Sequence, residues 1–208
     1  ECSDQAFFLN AGIVFDANEV QEHIEEHAVP HSAALLARAR ETQSPYFTGA
    51  LARVNASWQN LGQNAKVAAA KAGLRPPEAN PFMNNVAQAV EIVDALDRCA
   101  DLCRKLAEPG AIASSSLPVP FEVKAGRAVG FTEAPRGALF HDLTLDAEGR
   151  VTHASILTPT AQNVANLEAD MRLLAEKLVA DGAAEDVVRL EIEKLVRAYD
   201  PCLSCSVH

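Results

Sequence analysis

The chain has 208 residues, of which 49% are hydrophobic and 22% charged, a composition typical of one globular domain or two small ones. Its formal net charge of −10 argues against nucleic acid and anionic membrane surfaces as partners, because both bind basic patches. No apolar run is long enough to predict a membrane span, and the N-terminal residues lack the basic region of a signal peptide. These features predict a cytoplasmic protein.

The five cysteines form an odd and sparse set, unlike the dense, even sets of secreted disulfide scaffolds. We therefore expect a reducing compartment and thiols that are free to bind a metal. Cys2 is solitary in the sequence. Cys99 and Cys103 lie one turn apart in a predicted helix and are expected to be small core residues. Cys202 and Cys205 are the remaining pair.

The first 45 residues are predicted to contain a strand pair and two helices, followed by a loop. Apolar residues predict two short strands within residues 6–15. Asp16 and Ser32 suit helix N-caps, which predicts one helix over residues 17–28 and a second that ends near residue 40.

The first of these helices contains His-Ile-Glu-Glu-His at residues 23–27, which matches the His-x-x-Glu-His pattern of some zinc peptidases. His23 and His27 would share one helix face, where both could bind zinc. A solvated acidic helix explains the same string, because glutamates surround the two histidines. A zinc enzyme that loses its metal in His23→Ala is one alternative function.

The middle of the chain is predicted to be helical. An Ala-rich helix is expected over residues 61–72, and apolar residues at i, i+3, i+4, i+7 spacing predict a long helix over residues 81–108. Such a stripe is typical of a packed core. It comprises Val86, Ala89, Val90, Val93, Leu96, Ala100, Cys103 and Leu106. Residues 109–120, rich in Ser, Ala and Pro, are predicted as a surface loop or hinge.

Residues 133–137 read Glu-Ala-Pro-Arg-Gly. The proline fixes its own φ and the glycine relaxes the next residue, so the side chain of Arg136 is expected to point in one direction. Alternating residues over 138–146 and 151–158 then predict a β-hairpin. We expect His153, in this hairpin, on the surface.

Two helices are predicted after the hairpin, over residues 161–180 with Thr160 as N-cap and over residues 184–199. The second leads into Asp-Pro-Cys-Leu-Ser-Cys-Ser-Val-His at residues 200–208. Thiolates are soft ligands, and two of them three residues apart can reach one transition metal. A disordered tail normally extends beyond a domain, so an end at the histidine of this cluster is expected to have a functional reason.

Three segments together resemble the large, catalytic subunit of nickel–iron hydrogenases, and they stand in the family's order. They are Gly-Ala-Leu-Ala-Arg at residues 49–53, in which Ala50 replaces the usual proline; the Glu-Ala-Pro-Arg-Gly loop with Thr-Pro-Thr at residues 158–160; and the terminal Asp-Pro-Cys-x-x-Cys-x-x-His. The terminal run and Thr-Pro-Thr-Ala-Gln-Asn look more like the cytoplasmic, cofactor-coupled type. A buried loop whose Arg53 pairs with a carboxylate explains the first segment equally well, and the two explanations are compatible.

The resemblance implies an α+β fold that is mostly α-helical, with long core helices and a small antiparallel hairpin or sheet. The chain would be a single C-terminal portion of a large subunit, in which residues 1–108 are mainly helical, residues 109–137 form a loop with the arginine, and residues 138–208 hold the hairpin, two helices and the cysteines. The family's Arg-x-Cys-Gly-x-Cys motif, which supplies two of four cysteine ligands, is absent. The chain is therefore expected to be inactive without the missing N-terminal half.

The activity implied by the resemblance is the reversible heterolytic cleavage of H2 to protons and electrons, at a nickel–iron centre whose iron carries CO and cyanide. Cys202 would be a terminal nickel ligand and proton acceptor, and Cys205 would bridge nickel and iron. Arg136 and Asp200 would lie around the centre. Pro135 and Arg136, with the hydroxyl of Thr160, would contact the cyanides.

A magnesium or similar ion would be bound by His208 and the backbone carbonyl of Ile156. His141 is a candidate for the surroundings of these metals. The implied partners are the N-terminal half, an iron–sulfur small subunit, subunits that carry flavin, NAD(P) or another electron carrier, and a maturation protease that cuts after His208. A non-catalytic scaffold paralogue is the second alternative, and elemental analysis would separate it from the hydrogenase and the zinc enzyme.

Overall fold

The computed structural model describes residues 5–8, 13–110 and 121–207. The predicted α+β fold is confirmed, since about half of the chain is helical and its strands form small antiparallel sheets. The strands are β1 (Gln5–Phe8), β2 (Ile13–Asp16), β3 (Ile24–Val29), β4 (Ser32–Ala39), β5 (Gly126–Ala134), β6 (Gly137–Leu145) and β7 (Val151–Leu157). The helices are α1 (Val20–His23), α2 (Ala50–Ser57), α3 (Gln63–Lys71), α4 (Asn84–Leu106), α5 (Pro159–Ala180) and α6 (Glu185–Tyr199). No helix among these is long and apolar enough to cross a membrane.

The first 40 residues contain more strand than the sequence predicts. The pairing of β1 with β2 confirms the strand pair, and Asp16 caps the turn that follows by accepting from the Asn18 N–H. The helices predicted over residues 17–28 and 32–40 are wrong, because α1 is a single turn and β3 and β4 form an antiparallel hairpin. Strand β4 lies against α5, and this packing overrides the helical tendency of its alanines and leucines.

The zinc alternative depends on the helix that is not formed. His23 ends α1 and stacks on Phe15 with ring centroids 4.5 Å apart, whereas His27 lies on β3. The two histidines therefore share no helix face. Within the described residues, no group of three or more His, Cys, Asp and Glu side chains is arranged to hold a metal ion.

The predicted central helices are confirmed as α3 and α4, which pack with α2 around one apolar cluster. Its buried members include Leu51, Val54, Ala65, Leu74, Ala87 and Val90. The prediction of a core stripe along all of α4 is wrong for its second half. Burial ends at Asp94, and Leu96, Cys99, Cys103 and Leu106 are exposed. Of the predicted loop after α4, residues 111–120 lie outside the described part.

The predicted hairpin is confirmed as β6 and β7, and a third strand, β5, pairs with the other side of β6. The prediction of a continuous loop over residues 109–137 is therefore wrong from Gly126 to Ala134. Val129 and Phe131 lie two residues apart and both pack against the core, and the Phe131 ring lies 4.8 Å from that of Phe140. This spacing of two residues, with a β-branched and an aromatic side chain, was the available signal for a strand.

Helices α5 and α6 confirm the last two predicted helices, with one correction at a cap. Thr158 caps α5 by accepting from the Ala161 N–H at 3.4 Å, and Pro159 takes the first helical position. Thr160 is therefore inside the helix and not its cap. The first turns of α5, including Thr160, Gln162 and Asn163, are buried.

Tyr199 fixes the end of α6. It is buried, its hydroxyl donates to Asp170 and accepts from Asn166, and its ring meets the edge of Phe47 at 5.1 Å. Burial and the Asp170 carboxylate raise the pKa of Tyr199 well above its ordinary value near 10. The folded protein therefore holds the phenolic proton more tightly than the unfolded chain.

We predict that Tyr199→Phe lowers the free energy of unfolding by about 1–3 kcal/mol, because it removes the hydrogen bond to a part-buried carboxylate. Since the folded pKa is raised, the stability from this proton is complete below about pH 10 and is lost as the pH rises above it. Denaturant unfolding at about pH 8 and about pH 10.5 checks this. The wild type should lose more stability between these pH values than the variant, and equal losses would contradict the assignment.

Candidate metal centre

The C-terminal segment turns away from α6 at Asp200. This residue adopts a left-handed conformation, with φ 51° and ψ 51°, and its N–H bonds the carbonyls of Val196 and Arg197. Asparagine and aspartate tolerate this region better than most residues. Pro201 follows and cannot continue the helix. The next residue, Cys202, therefore leaves α6 and meets the start of α5.

Cys202 is tied to α5 by a buried hydroxyl. The Cys202 N–H donates to Thr160 Oγ1 at 3.1 Å. A 3₁₀ turn over Leu203–Ser206 follows, in which the Cys205 N–H donates to the Cys202 carbonyl at 3.0 Å. The fully buried Ser206 donates its hydroxyl to the Leu203 carbonyl at 3.0 Å. The turn places both cysteine side chains on one side of the chain.

The two sulfur atoms meet in this turn. The structure joins Cys202 and Cys205 in a disulfide, with Cα atoms 5.3 Å apart, where the sequence predicts free thiols. Metal binding needs thiolates, so the reduced pair is the form that could bind a metal. Two soft donors that converge in this way fit a nickel or iron site.

The other described cysteines do not join this pair. Cys99 and Cys103 are free and exposed on α4, which corrects their predicted place in the core. The described part of the chain therefore offers the soft-metal site two sulfur ligands. Cys2 lies outside the described residues.

Arg136 holds Asp200 from the tip of the β5–β6 hairpin. Its Nε donates to the Asp200 carbonyl at 2.5 Å, and one Nη lies 3.1 Å from each carboxylate oxygen. Gln88 on α4 donates to the same carboxylate at 3.3 Å. The side chains of Arg136 and Asp200 are 38% and 41% exposed, so the ion pair adds little stability. It does fix the direction of the guanidinium and the backbone two residues before Cys202.

The backbone of the arginine loop fits closely against the segment before α2. Gly137 has φ +137°, and a Cβ there would lie 2.4 Å from Thr48 Cγ2, so no other residue fits without displacement. Asn163 accepts from the Thr48 N–H at 2.8 Å and donates to the carbonyls of Thr48 and Arg136 at 3.1 and 3.2 Å. One amide side chain thus links α5 to the arginine loop and to Thr48, which lies directly before the Gly-Ala-Leu-Ala-Arg segment.

Ile156 lies at a neighbouring pocket of about 520 Å³ beside Cys205. The pocket is lined by Glu26, Leu35, Ala154, Ser155, Ile156, Thr158, Cys205 and Val207. Val207 brings the C-terminus to the same pocket as Ile156, whereas His208 itself lies outside the described residues. His141 pairs with Ile156 across β6 and β7 and is exposed, and the predicted surface position of His153 is confirmed.

The structure thus brings together Arg136, Thr160, Asp200, Cys202 and Cys205, and places Ile156 on the pocket next to them. Pro135 is exposed at the hairpin tip. Asn163 and Gln88 also support the site, and neither was predicted from the sequence. For Asn163 the signal was a cluster of polar residues at the start of an otherwise apolar helix, which indicates buried hydrogen bonds.

Known proteins of one family are similar to this chain. Residues 16–208 match the family described as nickel-dependent hydrogenase. The alpha subunit of sulfhydrogenase 1 from Pyrococcus furiosus is 39% identical over 204 residues, which are 95% of this chain and 44% of that protein. The beta subunit of the NAD-reducing hydrogenase HoxS from Cupriavidus necator is 35% identical over 127 residues, 60% of this chain and 25% of the relative.

Solved structures show the same fold. An NAD⁺-reducing [NiFe]-hydrogenase in the H2-reduced state superposes with a TM-score of 0.74 at 23% identity, over 93% of this chain and 43% of that one. The Ni-Fe-Se hydrogenase from Desulfomicrobium baculatum gives 0.59 at 21% identity, over 95% and 46%. The chain spans less than half the length of these relatives. It belongs to the nickel-dependent hydrogenase family and corresponds to the C-terminal half of a large subunit.

Proposed function

We propose that this chain provides half of the catalytic metal centre of a nickel–iron hydrogenase, an oxidoreductase that reversibly cleaves H2 to protons and electrons. The observation that carries the proposal is the meeting of the Cys202 and Cys205 sulfurs in one turn, directly after the Arg136–Asp200 pair. Two relatives of the chain are named sulfhydrogenase and NAD-reducing hydrogenase, which supports the class of reaction.

Cys202 and Cys205 would hold a nickel–iron centre with CO and cyanide on the iron, as two of its four cysteine ligands. When bound, this centre supplies the metal sites that polarise H2 and accept its electrons. The other two cysteines would come from the N-terminal half of the large subunit. This division of the four ligands between the two halves is consistent with the described residues, in which Cys202 and Cys205 are the one pair of cysteines whose sulfur atoms meet.

Three residues of this chain would prepare the site for the reaction. Thr160 holds the Cys202 backbone from a buried position, so the sulfur that accepts the proton stays in place. Arg136 keeps a permanent positive charge next to the cysteine turn and can donate hydrogen bonds to an anionic ligand such as cyanide. Asp200 holds this guanidinium in position through its backbone carbonyl and its carboxylate. Pro135 would contact the cyanides from the same loop.

We also propose a magnesium or similar divalent ion between the Ile156 carbonyl and His208. Ile156 and Val207, the residue before His208, line one pocket, which supports this placement. Glu26 lines the same pocket, and carboxylate and carbonyl oxygens suit Mg²⁺. Such an ion would tie the C-terminus to β7 and so hold the cysteine turn in place.

The partners we propose are the N-terminal half of the large subunit, an iron–sulfur small subunit, and electron-transfer subunits with flavin, NAD(P) or another carrier. A maturation protease would act after His208, in the cytoplasm. The NAD-reducing relative from Cupriavidus necator supports a soluble electron carrier of this kind.

Elemental analysis of the complete protein tests the proposal against its alternatives. In the large subunit separated from its iron–sulfur partner, we expect nickel and iron in equal amounts in the wild type, both lost in Cys202→Ser and retained in Cys99→Ser, whose thiol is exposed on α4. A folded protein without metal would instead support a non-catalytic scaffold. Zinc that disappears in His23→Ala would support the zinc enzyme.

A further inference from the structure

We infer that Arg53 is a positioning residue for Arg136, because it fixes the backbone of the loop from which Arg136 reaches Asp200. The inference rests on the proposed function, since it assigns Arg53 to the same reaction. Arg53 lies on α2 and is remote in sequence from both the arginine loop and the cysteines. Its contacts with the loop carry the argument.

All five N–H donors of the Arg53 guanidinium are engaged. Its Nε and Nη2 donate to the two carboxylate oxygens of Glu91, each at 2.7 Å, and Nη1 donates to Glu133 at 2.8 Å. The other two bonds go to main-chain carbonyls, from Nη1 to Ala134 and from Nη2 to Pro135, each at 2.9 Å. A guanidinium has five donors in one rigid plane. The bidentate pair with Glu91 uses two of them, and the two loop carbonyls accept from two of the remaining three.

Those two carbonyls belong to the residues directly before Arg136. Ala134 pairs with Gly137 at the end of the β5–β6 ladder, so Pro135 and Arg136 form the whole of the hairpin loop. Pro135 has a fixed φ. When its carbonyl is also held, the peptide plane between Pro135 and Arg136 has one orientation, and this sets the direction in which the Arg136 side chain leaves the backbone.

The loop is also held by α5. Asn163 donates to the Arg136 carbonyl at 3.2 Å, and Gly49 allows close approach there, because a Cβ at Gly49 would lie 3.0 Å from the same oxygen. Three successive carbonyls are thus bound by side chains of two different helices. Such double support is what holds a functional side chain to within a fraction of an ångström.

A purely structural role would need fewer of these contacts. The side chains of Arg53 and Glu91 are 22% and 26% exposed, and a tie between α2 and α4 would need only the bidentate pair. Burial alone would lower the pKa of Arg53, but its bonds to Glu91 and Glu133 outweigh this and raise the pKa, so the charge is retained. Lysine at this position keeps the charge, but three donors at one point cannot serve two carboxylates and two carbonyls.

Arg53→Lys in the complete protein is the discriminating change, with Arg98→Lys as its control. Arg98 also pairs with a carboxylate, Asp94, and a backbone carbonyl, but lies on α4 and makes no bond to the arginine loop. In Arg53→Lys we expect that nickel is retained, because Arg53 is not a proposed ligand. Hydrogen exchange of the backbone amides of residues 136–139 should be at least about tenfold faster, and the infrared bands of iron-bound cyanide should shift. The kcat should fall by a factor on the order of 10–100. Arg98→Lys should leave all four unchanged.

The inference would be overturned if amide hydrogen exchange in the arginine loop and the cyanide bands were both unchanged in Arg53→Lys. Changes of equal size in Arg98→Lys would also overturn it. If Arg53→Lys does not fold, Glu133→Gln weakens one contact at the loop and should give a smaller shift in the same direction; no shift would overturn the inference. Absence of cyanide bands from the wild type would contradict the proposed function instead. In that case the rate of amide hydrogen exchange in the loop would still test whether Arg53 positions Arg136.

Discussion

Cys202→Ser in the complete protein is expected to lower H2-dependent turnover by more than about 10⁴-fold, the size of loss that follows removal of an essential catalytic group. A serine hydroxyl is a harder donor than a thiolate and does not ionise near neutral pH, so it replaces neither the nickel ligand nor the proton acceptor. H2-dependent reduction of a redox dye measures the effect, with nickel content determined on the same sample.

Cys103→Ser is the matched control, because its thiol is free and exposed on α4. It should keep both nickel and activity. Comparable activity in Cys202→Ser and Cys103→Ser would show that the C-terminal cysteines do not carry the reaction.

Arg136→Lys is expected to lower kcat by about 10²–10³-fold, the usual cost of removing one oriented donor from a reacting centre. Lysine keeps the positive charge but cannot donate to the Asp200 carbonyl and carboxylate with the geometry of Nε and Nη2. Nickel should be retained, because Arg136 is not a ligand. Steady-state H2 oxidation together with metal analysis separates these two effects.

Arg127→Lys is the control for the loss of activity that follows from removing any bidentate arginine–carboxylate pair in the same sheet. Arg127 binds both carboxylate oxygens of Asp142 at 2.8 Å, and its recorded bonds go to β6 and the β2–α1 turn, not to the cysteine turn. It should lose little activity. If Arg127→Lys and Arg136→Lys lose the same activity, Arg136 has no special role at the centre.

The sequence predicted the helices that are long and regularly patterned, and it failed where packing decides. The expected helices form over residues 63–71, 84–106, 159–180 and 185–199, because their apolar spacing and their Gly and Pro boundaries agree. Ala-rich β4 has the composition of a helix, but its pairing with β3 and its contact with α5 make it a strand. Such contacts between distant segments are invisible in the local pattern.

The same limit applies to the second half of α4. Its apolar stripe has the periodicity of a core helix, yet Leu96, Leu102 and Leu106 are each more than half exposed. Periodicity shows that a surface is suited to burial, but not whether the described residues contain the partner that buries it. The chain spans less than half of its relatives' length, and the rest of such a protein is where that partner would lie.

The site was predictable in its residues but not in its connections. The motif arginine, the aspartate and the two cysteines lie together as the resemblance implies. The supporting contacts include bonds of Arg53 to Ala134, Gln88 to Asp200 and Asn163 to Thr48, which join residues 81 to 115 positions apart. Only the folded chain shows which of many polar residues make such bonds.

Infrared spectroscopy of the complete protein tests most directly whether Cys202 and Cys205 hold a nickel–iron centre. The proposal predicts absorption bands of iron-bound CO and cyanide in the wild type, their retention in Cys103→Ser, and their loss in Cys205→Ser, whose missing sulfur would bridge the two metals. Bands that survive in Cys205→Ser would contradict it.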